Sequence, residues 1–91
     1  MRPSNDYYRE LQNGVGELRT VLTELGASVA SLDLFDEFLQ NSEFELALHV
    51  ACQYLLEPGV RRQPNDVLDR IESLHNTMAI DDDCATRLRA K

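Results

Sequence analysis

The sequence predicts an all-α fold in one domain spanning residues 1–91, a compact bundle of four main helices with a short C-terminal helical turn. Three observations lead there. Apolar residues recur at steps of three and four in four separate stretches. No period-two alternation is sustained and no hairpin turn pair occurs, so nothing reads as a strand. Ninety-one residues with 43% hydrophobic content suffice for one core but not for two.

The first helix starts near Ser4 or Asn5 and carries a regular seam of Tyr8, Leu11, Val15, Leu18, Leu22 and Leu25. Gly14 and Gly16 interrupt it, each costing about 1 kcal/mol relative to Ala. They either let another backbone come close or mark a bend. Gly26 ends the helix. Ser28 or Ser31 opens the second helix, with Leu32, Phe35, Phe38 and Leu39 facing inward and Asp33, Asp36, Glu37 and Gln40 outward. Asn41-Ser42 is so short a joint that the second and third helices should form a helical hairpin.

The third helix is expected at the centre. Phe44, Ala47, Leu48, Ala51, Tyr54 and Leu55 form one stripe, and Leu46, Val50 and Leu56 add apolar groups beside and behind it. Ser42 is its expected cap and Pro58-Gly59 its stop. A narrow polar strip of Glu45, His49, Cys52 and Gln53 should face water or a partner. The fourth helix begins near Gln63 to Asn65, behind Pro64, and buries Val67, Leu68, Ile71, Leu74 and Met78. Asp66 and Arg70, four apart, suit a surface pair. Asp81 to Asp83 precede a last turn, CATRLRA, of low expected stability.

Catalytic chemistry needs a nucleophile, a base and a group that stabilises developing charge. His49 and Cys52 could share a helix face, and His75 and Cys84 are zinc-ligand types. Their spacing matches no recognised zinc pattern and Cys84 lies in the weak last turn, so neither a metal nor a catalytic residue is expected. Gly14-Val15-Gly16 lacks the preceding strand of a dinucleotide site, and no cofactor is expected. Both cysteines are expected as free thiols. The opening MRPSNDYYRELQ lacks the apolar core of a signal peptide, which makes the cytoplasm the expected compartment. No apolar run approaches the roughly 20 residues that span a bilayer.

The formal net charge is −7. That disfavours direct nucleic-acid binding, which needs clustered Lys and Arg. From Thr20 to Val60 there is no cation, while Glu24, Asp33, Asp36, Glu37, Glu43, Glu45 and Glu57 are all present. The middle of the molecule should therefore carry a negative field of one sign. Such a field serves either as a solubilising face or as a docking face for a basic partner.

Glu37, Phe38, Leu39 and Glu43 are followed by Phe44, Leu46, Ala47, Leu48, Cys52, Leu55 and Glu57, then by Ile71, Leu74, Met78, Ile80 and Asp81. This pattern, over about Leu32 to Asp83, resembles the MafI-like immunity proteins of bacterial polymorphic toxin and contact-dependent inhibition systems. His49 stands where that family commonly has an acidic residue. Arg61-Arg62-Gln63 replaces its usual helix start of Pro and a small polar residue.

The resemblance implies a non-enzymatic inhibitor that binds a cognate toxin domain with a basic surface, often a nuclease, inside the producing cell. The contact residues expected on this basis are Asp33, Asp36, Glu37, Gln40, Glu43, Glu45 and His49, with Tyr7, Tyr8 and Tyr54 as candidate anchors. The alternative is an acidic helical adaptor or homodimeric interaction module without a toxin partner. An enzyme centred on His49 and Cys52 is a third class.

Overall fold

The computed structural model describes residues 5–91 and shows an all-α chain: α1 Asn5–Glu24, α2 Val29–Gln40, α3 Phe44–Leu55, α4 Asn65–Thr77 and α5 Cys84–Arg89, with no strand among the described residues. A start at Ser4 lies outside those residues. Local chemistry sets most of the boundaries. Gly26 takes a left-handed φ of 83° behind α1. Ser28, not Ser31, caps α2, its hydroxyl oxygen accepting from the Ser31 N–H at 3.2 Å. Ala79, also left-handed, closes α4 as the Ile80 N–H bonds back to the His75 carbonyl at 2.9 Å.

The expected cap of α3 is corrected. Ser42 adopts a left-handed φ of 58° and makes the turn itself. Glu43 occupies the cap position without a side-chain hydrogen bond. The short joint needs one residue to reverse the chain, and Ser42 fills that role. Its consequence is the expected helical hairpin, with α2 lying along α3.

The molecule measures 45 × 27 × 19 Å, its shortest dimension close to two helix diameters. Helix α1 packs on α2, α3 and α4, while α5 packs on α4. The centre is therefore shared between α1 and α3 rather than belonging to α3 alone. Leu11, Val15, Leu18 and Leu22 of α1 meet Phe35 of α2 and the buried Phe44, Ala47, Leu48, Ala51 and Leu55 of α3. Leu68, Ile71 and Leu74 of α4 and Leu88 of α5 complete the core. Val67 and Met78, expected in the buried stripe of α4, pack at its edge.

The two helix-interior glycines differ. A Cβ at Gly14 would stand 2.9 Å from Leu74 Cδ2, so Gly14 marks the close approach of α1 to α4. A Cβ at Gly16 would meet only Leu39, at an ordinary 3.8 Å.

The cysteines and the last turn both depart from expectation. Cys52 and Cys84 form a disulfide with a Cα–Cα distance of 6.3 Å, inside the range that a disulfide spans. Cys52 consequently leaves the polar strip of α3 and is buried. Nothing in a separation of 32 residues signals this pairing; the chain path behind α4 creates it. The same path anchors α5, where Leu88 is fully buried and Arg89 reaches Asp69 at 2.7 Å. Lys91 Nζ donates to the carbonyls of Leu55 at 2.6 Å and Glu57 at 2.8 Å, and also to that of Val60. The C-terminal turn is thus a fixed part of the fold, closing off the carbonyl end of α3.

Candidate functional site

The acidic residues singled out in the sequence lie on the outer surface of the α2–α3 hairpin, but they are not equivalent. Asp33, Glu37, Gln40, Glu43, Glu45 and His49 are exposed. Asp36 is half-buried and bound bidentately by Arg19 of α1, with Nε–Oδ1 at 2.7 Å and the second pair at 3.0 Å. These hydrogen bonds, then the charge of Asp36 itself, push the Arg19 guanidinium up from its ordinary value, with a further contribution from Asp33. The pair holds α2 to α1.

That contact corrects the expectation of a one-signed middle. Arg19 lies one residue before the cation-free stretch, and the fold lays it against Asp36; Lys91 comes back over the end of α3. Sequence distance concealed both. Two other cations are likewise taken up locally. Arg70 pairs with Glu17 of α1, not with Asp66, whose carboxylate instead accepts from the Val67 N–H at 3.0 Å. Arg89 is pushed up by its hydrogen bond to Asp69, with a contribution from Glu72. Among the described residues, Asp33, Glu37, Glu43, Glu45 and Glu57 make no ion pair within 4.0 Å.

Helical spacing sorts these groups by side. On α2, Asp36 meets Arg19 of α1, Leu34 and Phe38 line the side toward α3, and Asp33, Glu37 and Gln40 point outward between them. On α3, Leu46, Val50 and Gln53 line the side toward α2, and Glu57 follows just beyond the end of the helix. Between the helices runs an open groove of about 380 Å³ lined by Ser31, Leu34, Phe38, Leu46, His49, Val50, Gln53, Tyr54 and Glu57. Its floor is apolar. Leu34 is 43% and Leu46 45% exposed, so the groove opens apolar surface to water.

A second hollow of about 240 Å³ lies on the other flank of α3, lined by Glu45, Leu46, Leu48, His49, His75, Ile80 and Asp82. His49 stands on the ridge between the two, 3.2 Å from the Gln53 side-chain nitrogen.

The aromatic anchors expected from the sequence separate in the same way. Tyr54 is largely taken up by structure, its hydroxyl donating to the Leu25 carbonyl at 3.2 Å. Tyr7 and Tyr8 are exposed on α1 and meet edge to face, with centroids 5.7 Å apart. Tyr8, placed in the α1 seam by its spacing, is 50% exposed. The apolar contribution beside the carboxylates comes instead from Leu34, Phe38 and Leu46. Leu34 had one legible signal, as an apolar residue between two aspartate-bearing turns, off the Leu32–Phe35–Leu39 stripe.

No family model, no curated protein and no solved structure matches this chain. No helix among the described residues is long and apolar enough to cross a membrane.

Proposed function

We propose that this chain is an immunity protein, binding and neutralising a cognate bacterial toxin domain through the outer face of the α2–α3 hairpin. The observation that carries the reading is the groove of Leu34, Phe38 and Leu46, edged by Glu57, on a hairpin whose outer surface also carries the exposed carboxylates of Asp33, Glu37 and Glu45, without ion pairs among the described residues. Charge steers encounter, and buried apolar anchors hold the complex. A protein with a cationic groove made for phosphates, above all a nuclease, offers the complement to both. The residue pattern shared with MafI-like immunity proteins points the same way, and inhibition of this kind needs no catalytic group.

Co-expression tests this directly. Cells carrying the toxin domain encoded beside this gene should survive when the chain is present, and the two proteins should copurify as a complex. Absence of both rescue and complex formation would defeat the reading and leave an acidic adaptor or homodimer in its place.

A further inference from the structure

On the opposite flank of α3 from the groove, three buried residues of metal-ligand type converge, one each from α3, α4 and α5. The Sγ atoms of Cys52 and Cys84 and a ring nitrogen of His75 lie within 4.8 Å of one another, all three residues being buried. His75 Nδ1 is 2.8 Å from the Ile71 carbonyl, which accepts only from an N–H, so the ring is held with Nδ1 as donor and Nε2 turned the other way. Nε2 lies 3.1 Å from Asp82 Oδ1. The Asp82 oxygen is itself held in place by the Cys84 N–H at 3.0 Å.

The geometry points to a metal: we propose that the reduced Cys52–Cys84 pair and His75 bind one zinc ion, with the neighbouring Asp82 carboxylate turning in as the fourth ligand. Zinc takes thiolate sulfur at about 2.3 Å and imidazole or carboxylate at about 2.0–2.2 Å in a tetrahedron. The edges of that tetrahedron run from roughly 3.3 Å between nitrogen and oxygen to 3.7 Å between sulfurs. The 3.1 Å His75–Asp82 separation is close to one such edge already. A Cα–Cα distance of 6.3 Å lets side-chain rotation part the two sulfurs without moving α3 or α5. The Nδ1–H to carbonyl bond is the outer-shell contact that orients a histidine ligand. Two thiolates favour zinc over the hard cations.

The chemistry is redox-gated. A dithiol reductant supplies two electrons, the S–S bond breaks to give two thiols, and the reductant leaves as its own disulfide. Zinc binding then releases one proton from each thiol to solvent. The same residues thus tie α3 to the α4–α5 joint in either surroundings, by a covalent bond when oxidised and by a metal when reduced. This inference stands apart from the toxin-binding face.

The test uses the full, tag-free chain, reduced with a phosphine under anaerobic conditions and titrated with cobalt as a spectroscopic probe, then with zinc. One cobalt per chain should bind, giving thiolate charge-transfer absorption and the visible bands of a tetrahedral site, and zinc should displace it. The oxidised chain should take up neither ion. Asp82→Asn, on an exposed side chain, should weaken zinc binding by about tenfold or more, and His75→Gln by more still. Circular dichroism run alongside keeps folding in view. If the reduced chain is unfolded, stoichiometric zinc should restore its helicity. A reduced chain that binds neither metal, folded or not, would overturn the proposal, as would His75→Gln binding cobalt with unchanged spectrum and affinity.

Discussion

Reducing the Cys52–Cys84 bond in the presence of a chelator should lower the melting temperature by about 15–25 °C. The bond joins residues separated by 32 positions. On the chain-entropy account, a loop of that size contributes about 3.5 kcal/mol by restricting the unfolded chain. A domain of this length has only about 5–13 kcal/mol in total. The loss should concentrate at the C-terminal end, because α5 packs on α4 and is otherwise held by Leu88, Arg89 and Lys91. Thermal melts followed by circular dichroism, with and without a phosphine, measure it. Equal melting temperatures would show that the bond contributes little to stability. Adding zinc in place of chelator should recover part of the loss, which links this experiment to the proposed metal site.

Leu48→Ala should destabilise the fold by about 3 kcal/mol, within the range of about 2–5 for deleting a buried leucine. Leu48 is wholly inaccessible and belongs to the core that α1, α2 and α3 enclose. Urea unfolding should show a lower midpoint with an unchanged slope, since the surface exposed on unfolding hardly alters. Leu46→Ala, two residues away, should cost less than about 1 kcal/mol because its side chain is already half in water. Under the proposed function its effect falls instead on partner binding. A near-neutral Leu48→Ala would mean that α3 is not packed as described.

The helices were legible because their apolar spacing is regular and their breaks are chemically marked. Gly26 and Pro64 are examples, the one closing α1 and the other opening α4. What escaped depends on chain path. Asp36 carries the same local signature as Glu37, yet only Asp36 lies where Arg19 can reach it. Cys52 belongs to a polar strip by periodicity, and its burial follows from Cys84 arriving behind α4. Ser42 has the composition of a cap, but the tightness of the α2–α3 joint makes it a turn residue. His75, Asp82 and the two cysteines were legible as residue types, and nothing short of the folded path brings them together.

Those differences decide how the binding face should be probed. Replacing Asp36 would release Arg19 and confuse folding with binding, so Asp33 and Glu37, exposed and without an ion pair, are the positions to reverse. The decisive measurement is the association rate of the Asp33→Lys, Glu37→Lys variant with the proposed partner, a toxin domain encoded beside this gene, across a range of ionic strengths. At low salt it should fall about 10- to 100-fold below the unmodified chain. The gap should close as salt rises, with the melting temperature unchanged. Identical rates at every ionic strength would contradict the account, because the α2–α3 face would then take no part in capturing the toxin.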